Sequence, residues 1–567
     1  MRPYTGVLPY KLSGNWTQSY TKFISKLCES RLCLFHQLCW ILQNKYDKKN
    51  DLTACYRAKN GDKVMLSQFF WHLTAGYRHF FVFLHSESIK KDTMLVGREQ
   101  EQRELLTLLE KDEPQFCAVY GRRRVGKTYL IRETFSNRFA FQHTGLSNAS
   151  KSDQLREFRE SLRAAGLRTA KMPGTWYEAF AMLQLHLESL PKGKKVIFID
   201  ELSWLDTPKS NFVSALEHFW NGWATARKEK DIVLIVCGSA TSWITSKIIN
   251  SHGGLHNRLT RQIYLQPFTL HECREYARGQ RLEMSDRDVM EAYMVLGGVP
   301  YYWSFMRRGE SLAQNIDRLF FAPAAPLANE YNALYASIFR NPEPHIKIIE
   351  KLASKKSGLT RKELLALTGL SDNAVFNRAV EELQQCGFVR KYVAFGKRER
   401  DVVYQLMDNF TLFYFHFILK NRRNDEHYWS NSIDTARHAS WSGLAFERVC
   451  LWHLPQILRA LGIAGVVTSA HAWWTEATDG HDGAQIDLLI DRNDGIVNLC
   501  EMKYAETVYA ITKSENAKLR QRKAIFKQVT KTRKAVHVTM VTTYGLKRNA
   551  YSNDIQNEVT MKDLFRF

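Results

Sequence analysis

Gly121-Arg122-Arg123-Arg124-Val125-Gly126-Lys127-Thr128 is the stretch on which the reading of this chain turns. It satisfies the spacing Gly-x4-Gly-Lys-Ser/Thr. Glycines at both ends let backbone N–H groups curl around phosphate oxygens. Lys127 reaches the outer phosphates, and the Thr128 hydroxyl suits a Mg²⁺ ion. The residues before it, Gln115–Tyr120, form a short apolar run of strand type. The residues after it, Lys127–Phe135, have a helical pattern, so a positive helix end faces the same point. Strand, glycine loop and helix together separate a phosphate cradle from a chance match.

Moving outward, Lys195–Ile199 is a β-branched run that ends in Asp200-Glu201. Asp200 sits where an acid would hold the Mg²⁺ water shell, and Glu201 is placed to polarise an attacking water as general base. Ile232–Cys237 is a third buried-strand pattern and runs into Gly238-Ser239-Ala240-Thr241. Ser239, at a strand tip, is the candidate sensor of the outer phosphate. Arg258 and Arg261 bracket a helix-to-strand junction. Arg258 or Arg261 could stabilise transition-state charge, in cis or from a neighbouring subunit. Gln262–Leu265 suggests a further strand, and residues 269–340 read as mostly helical. Within them, Gly297-Gly298-Val299-Pro300 either lies near a nucleotide base or only breaks a helix. Continuous apolar strands alternating with helices predict a parallel α/β sheet covered on both faces.

The 567 residues allow several domains. A hydrophobic fraction of 45% and a charged fraction of 24% exclude whole-chain disorder and fibrous architecture. Lys+Arg is 80 and Asp+Glu is 58, so the formal charge is 80 − 58 = +22, which favours polyanionic partners such as nucleotide or DNA. None of the ten cysteines forms a Cys-x-x-Cys pair or a zinc-spaced cluster. That pattern suits a reducing, cytoplasmic compartment. No run of 18 apolar residues occurs, the longest candidate (Phe69–His85) being interrupted by His72, Arg78 and His79. No membrane span is therefore expected.

Residues 343–407 change rhythm. His345–Ala353 reads as one helix. Thr360-Arg361-Lys362-Glu363 is a capping box opening a second, which Gly369 ends. Ser371 is read as the cap of a third helix, with Val375, Ala379, Val380 and Leu383 as its apolar positions. Phe388–Phe395 and Val402–Leu406 form a hairpin around Gly396–Arg400. Three helices and a basic hairpin predict a winged helix-turn-helix. Ser371, Asn373, Asn377 and Arg378 could face DNA, with Lys397, Arg398 and Arg400 on phosphates. Alternatively, the module packs on the nucleotide domain as a switch element.

Residues 440–567 form a last α/β unit with strands near Ile486–Asp491, Val497–Lys503 and Ala535–Thr542. Asp487, Glu501 and Lys503 follow Asp-x13-Glu-x-Lys on neighbouring strands, and this resembles the PD-(D/E)xK nucleases. There Asp487 and Glu501 would converge on Mg²⁺, Lys503 would orient the attacking water, and Glu447 would be the upstream helical acid.

From Met94 onward, these motifs together resemble the archaeal-type P-loop ATPases of prokaryotes, close to the STAND and AAA groups. The resemblance rests on Val96-Gly97-Arg98-Glu99, the triple-arginine loop, Ile199-Asp200-Glu201, Cys237-Gly238-Ser239 and Gly297–Pro300. It implies a P-loop sheet (94–268), a helical lid and linker (269–342) and a winged helix (343–407). Linking helices (408–439) and a restriction-endonuclease-like domain (440–567) complete the implied order. It implies ATP with Mg²⁺ as cofactors, ATP hydrolysis as the activity, and DNA, a second copy or another protein as partner. Residues 1–93 have no counterpart in that pattern and are expected to be an N-terminal extension of unknown role, either a poorly packed segment or upstream sequence read from a misplaced start. The competing reading is a regulatory ATPase whose C-terminal modules bind and do not cleave.

Overall fold

Buried apolar runs alternating with amphipathic helices build the first layer of the molecule. The computed structural model describes residues 95–250, 253–255, 257–339, 341–397 and 401–567. Every described residue lies in the compact unit Thr93–Phe567. Residues 1–93, the start at Met94 and the wing residues Arg398 and Arg400 lie outside the described residues.

Helix α1 (Glu99–Glu110) leads to β1 (Gln115–Tyr120), and α2 (Lys127–Thr134) follows the glycine loop. Next come β2 (Phe141–Thr144), α3 (Lys151–Ala164), α4 (Trp176–Ser189), β3 (Lys195–Asp200) and α5 (Phe212–Glu217). Strand β4 (Ile232–Gly238), α6 (Thr241–Ile244) and β5 (Arg261–Tyr264) complete the layer. The strands pair in parallel in the order β2-β3-β4-β1-β5. Phe116 and Ala118 join one core with Trp176 and Phe180, while Cys117 and Val119 join another with Leu130 and Ile131. Both faces are covered, which is why the strands read as unbroken apolar runs. Each such side chain contributes about 1.5–3 kcal/mol on full burial. In a parallel sheet all strands end on the same edge. Because β4 lies between β1 and β3, the loops leaving these three strands are neighbours.

Residues 269–342 are helical: α7 (Leu270–Gly279), α8 (Asp286–Leu296), α9 (Pro300–Trp303), α10 (Leu312–Phe320) and α11 (Glu330–Ile338). Gly297 closes α8, and the Phe268 N–H donates to Gly298 O at 2.6 Å. A Cβ on Gly298 would sit 1.9 Å from the Phe268 carbonyl oxygen, so this pair of glycines admits a close backbone approach.

Then follow α12 (Glu343–Ala353), β6 (Leu359–Thr360), α13 (Arg361–Thr368), α14 (Ala374–Gln385), β7 (Val389–Val393) and β8 (Val402–Leu406), with an antiparallel sheet β6-β8-β7. Thr360 and Glu363 form the expected capping box, and Gly369 closes α13. The cap of α14 is Asn373 and not Ser371; its side chain accepts from the N–H groups of Val375 and Phe376. Ser371, Asp372 and Asn373 are all good caps. Asp372 is taken by Arg361, and Asn373 is left to start the helix. Phe376 joins Ala379, Val380 and Leu383 in the core, whereas Val375, expected there, is 53% exposed.

The last part contains α15 (Asn409–His416), α16 (Ala436–Trp452), α17 (Leu454–Ala460), β9 (Thr468–Thr475), β10 (Ala484–Arg492) and β11 (Ile496–Lys503). After them come α18 (Lys513–Thr530), β12 (Ala535–Thr542), β13 (Asn557–Thr560) and α19 (Met561–Leu564). The sheet runs β13-β12-β11-β10-β9, antiparallel across β9, β10 and β11 and parallel across β11, β12 and β13. Cys500 and Met502 face a core shared with Phe446 and Val449 of α16; Leu489, Val497 and Leu499 face Ile525 and Phe526 of α18. No described helix is long and apolar enough to cross a membrane.

Candidate functional site

The glycine loop leaves β1 with Gly121 at φ 138, where a Cβ would meet the Leu265 carbonyl oxygen at 2.4 Å. Gly126, at φ 91, is the N-cap of α2 and has open space beside it. Only glycine fits both positions without strain. Val125 is buried in the core and anchors the loop between them. The first turn of α2 carries no acidic residue, so its positive end is not neutralised locally.

Lys127 lies across the loop. Its ammonium donates to Gly121 O at 3.0 Å and Arg122 O at 2.8 Å. The Thr128 hydroxyl donates to Asp200 Oδ2 at 2.7 Å, joining the glycine loop to the end of β3. Asp200 is buried, and its other oxygen accepts the Glu201 N–H at 2.9 Å. Glu201 adopts φ 47, a left-handed conformation costly for a side-chain-bearing residue and typical of functional positions. The Ser239 hydroxyl donates to Glu201 Oε2 at 3.1 Å. Lys127, Thr128, Asp200, Glu201 and Ser239 therefore meet through direct contacts along one edge of the sheet. The geometry can cradle phosphate, hold an oxygen-liganded cation between Thr128 and Asp200, and present a carboxylate beside it.

The three loop arginines do different work from one another. Arg122 forms a buried ion pair with Asp408, the cap of α15, and stacks over Phe388 at 4.6 Å. Arg124, at φ 70, pairs with Glu330 of α11 and stacks over Tyr301 at 4.2 Å. Tyr302 donates to the other Glu330 oxygen at 2.7 Å. Arg123 is half-buried. The backbone of Arg122 and Arg124 remains part of the cradle, but the Arg122 side chain binds the start of α15 and the Arg124 side chain binds α11. No local sequence signal marks Asp408 or Glu330 as their partners.

Arg258 and Arg261 are exposed and stand away from this edge. Arg261 opens β5 level with Cys117 of β1, three residues before the strand end at Tyr120. At ~3.3 Å per residue that is roughly 10 Å from the strand end. Arg261 pairs with Glu104, and Arg258 lies still earlier in the chain. This placement sets the Arg261 backbone back from the glycine loop and gives its side chain to Glu104.

Among the candidate DNA-facing residues, Asn373 spends its side chain on the helix cap, and Asn377 Oδ1 accepts from Arg361 at 2.6 Å. Ser371 and Arg378 are exposed. The face of α14 that carries Arg378 also meets the nucleotide domain. Ser242 donates to Glu382 Oε1 at 3.1 Å, and Tyr264 donates to Gln385 O at 3.0 Å. A cleft of about 830 Å³ runs between them, lined by Trp204, Trp243, Lys247 and Arg378.

The C-terminal acids do not form one cluster. Glu447 and Asp487 share Lys356, whose Nζ lies 2.5 Å from Glu447 Oε1 and 3.5 Å from Asp487 Oδ2. Glu501 instead pairs with Lys503 at 2.9 Å and Arg522 of α18 at 2.7 Å. Among the described residues, no group of three His, Cys, Asp or Glu could hold a metal ion. The cause is a register shift between Ile486 and Leu489. Ile486 and Leu489 both face α18, so Asp487 and Leu488 lie between them on the α16 side. Glu501, flanked by Cys500 and Met502 on the α16 side, points the other way. Burial, with the nearby Asp487 charge, pushes the Glu447 carboxyl up to about 7, although Lys356 pulls it down. Lys356 was not among the sequence candidates, since Lys355-Lys356-Ser357-Gly358 reads as an ordinary polar turn.

A parallel sheet with a glycine loop, a Thr–Asp bridge and a Glu–Ser pair at its edge defines a P-loop nucleotide-binding domain. Residues 95–304 match the family model of an ATPase domain predominantly from Archaea, and the chain carries an archaeal-type P-loop ATPase domain. An uncharacterised protein of Methanocaldococcus jannaschii is 23% identical over 419 residues, 73% of this chain and 88% of that protein. Among solved structures, the Walker-type ATPase of Pyrococcus abyssi is 16% identical (TM-score 0.42; 56% of this chain, 95% of that chain). The ORC2 protein of Aeropyrum pernix, in ADPNP–ADP complexes, is 14% identical (TM-score 0.34; 57% and 93%). A STAND protein with a tetratricopeptide repeat sensor from Pyrococcus horikoshii is 15% identical (TM-score 0.24; 65% and 49%).

Proposed function

We propose that this chain is an ATP-hydrolysing molecular switch that acts on DNA through residues 343–407 and 440–567. The observation that carries the hydrolytic part is the run of contacts Lys127, Thr128–Asp200 and Glu201–Ser239 at one sheet edge. In this reading the loop N–H groups and the start of α2 bind the phosphates of ATP. Lys127 exchanges its two carbonyl partners for the outer phosphate oxygens. Thr128 and Asp200 would hold Mg²⁺, which supplies charge neutralisation when bound. Glu201 accepts the proton of the attacking water, and Ser239 keeps its carboxylate turned toward the loop.

For the output, residues 343–407 are read as a winged helix and residues 440–567 as a nuclease-like module. The net charge of +22 supports a polyanionic partner. Two observations favour the second reading, a regulatory ATPase with non-catalytic C-terminal modules. Glu382 of α14 is engaged by the nucleotide domain, and each C-terminal acid already has a basic partner. Incubating the purified chain with plasmid DNA, with and without ATP and Mg²⁺, tests the two. Nicking or linearisation that disappears in Asp487→Ala supports the nuclease reading. ATP hydrolysis with intact plasmid under every condition rejects it in favour of the regulatory one.

A further inference from the structure

Helix α18 covers one face of the C-terminal sheet with Ile525 and Phe526 and turns its opposite side to solvent. From Lys513 to Lys534 the chain holds nine Lys or Arg and a single acid, Glu515. Helix formation does not require that excess. Lys513 directly follows the Thr512 cap, at the positive end of the helix, where a further positive charge is unfavourable. Lys523, Lys527 and Lys531 are spaced i,i+4, so like charges crowd one another. Burial, and then the Lys527 charge, push the Lys523 ammonium below its ordinary value, although Asp554 pulls it up.

The acids of the surrounding elements meet only part of this charge. Arg520 pairs with Asp554 at 2.6 Å, Arg522 with Glu501 at 2.7 Å and Lys534 with Asp491 at 2.6 Å. Glu515 is engaged by the hydroxyls of Thr512 and Tyr509. Gln521 donates to Asp482 and Gln528 to Gly480 O, so the acidic β9–β10 loop borders the helix on the Gln521–Gln528 side. Lys513, Lys518, Lys523, Lys527, Lys531 and Arg533 form no ion pair among the described residues.

Lys513, Ala517, Arg520, Ala524, Lys527 and Lys531 recur at steps of four and three, which places them on one stripe, and all are exposed. The two alanines leave nothing bulky between the cations. At about 1.5 Å per residue the stripe is roughly 27 Å long. Duplex DNA carries one negative charge per ~1.7 Å of axis, so that length matches roughly eight base pairs. A helix that lies on a membrane needs an apolar side free to insert, and here Ile525 and Phe526 are held in the sheet core.

We propose that the α18 stripe is a docking surface for the phosphodiester backbone of duplex DNA, engaged without regard to base sequence. This rests on the reading of DNA as the partner of residues 343–407 and 440–567. It assigns a backbone contact separate from α14 and from the acids Glu447 and Asp487.

Fluorescence anisotropy of the full chain with a labelled duplex, over a range of salt concentrations, tests the stripe. Lys513→Gln, Lys527→Gln and Lys531→Gln together should weaken binding at least about tenfold and flatten the slope of log affinity against log salt by about three, one unit per lysine. The three side chains are exposed and unpaired, so this variant should keep the wild-type unfolding midpoint and basal ATP hydrolysis. Arginine at the same three positions keeps the charge and should bind as wild type does. Wild-type affinity and slope in the glutamine variant overturn the stripe and leave the DNA reading to other residues. Absence of salt-dependent duplex binding by the wild-type chain overturns the stripe and the DNA reading together. Loss of binding to phosphatidylserine vesicles in the glutamine variant, with duplex binding intact, overturns the DNA assignment and makes the stripe a lipid surface.

Discussion

The molecule contains two sheets that each carry carboxylates singled out in the sequence, and they place them by different means. In the nucleotide domain, Asp200 is the last residue of β3, Glu201 is just beyond it, and Ser239 follows the end of β4. Parallel strand order alone brings these tips together, whichever face each strand presents. In the C-terminal sheet, Asp487 and Glu501 lie within strands. Their meeting depends on pleat parity, and one register shift in β10 sends them to opposite faces. Convergence of strand ends tolerates local irregularity, whereas convergence within strands does not.

The sharpest way to break this comparison is to remove a member of the convergent group. Lys127→Ala should lower ATP hydrolysis by about a thousandfold, by removing the charge aimed at the outer phosphates. Phosphate release at wild-type rates in this variant would reject the nucleotide-site assignment. Glu201→Gln should lower turnover by about a hundredfold while nucleotide affinity stays near wild type. A parallel loss of affinity, measured by calorimetry, would show that Glu201 holds ligand and does not activate water.

Arg122→Ala tests how firmly the glycine loop is tied to the rest of the chain. It leaves Asp408, only 3% exposed, without its cation, and should cost about 3–5 kcal/mol in denaturant unfolding. Asp408→Ala added to it should restore part of that loss, because the uncompensated charge is removed. Additive losses would mean that the two side chains stabilise the fold independently.

The smallest expected effect sharpens the C-terminal half of the comparison. Glu501→Gln should change stability by at most about 1 kcal/mol, since its partners Lys503 and Arg522 are partly exposed. Urea unfolding checks it: a loss above about 2 kcal/mol would show that Glu501 is held as firmly as the buried Asp408.

Much of the nucleotide domain was legible before any coordinates. Gln115–Tyr120 and the Gly121–Thr128 spacing announce strand and cradle through local chemistry, and Thr360-x-x-Glu363 announces a helix start in the same way. The cap of α14 was less legible, because Ser371, Asp372 and Asn373 compete and the Arg361–Asp372 pair decides among them. The position of Arg261 was not legible, because a motif read along the chain does not say how far along a parallel strand it lies.

By itself, the sequence determined which residues could bind phosphate and where strands and helices run. Those properties depend on backbone conformation and spacing within a few residues. Only the tertiary structure decided which faces and partners the remaining charges take. Arg122 meets Asp408 at the start of α15, Arg124 meets Glu330 on α11, and Lys356 meets Glu447 and Asp487 across two modules. Each of these is an ion pair between residues far apart in the chain. Its formation is set by how buried cores stack and by one shifted strand register, quantities that no local pattern encodes.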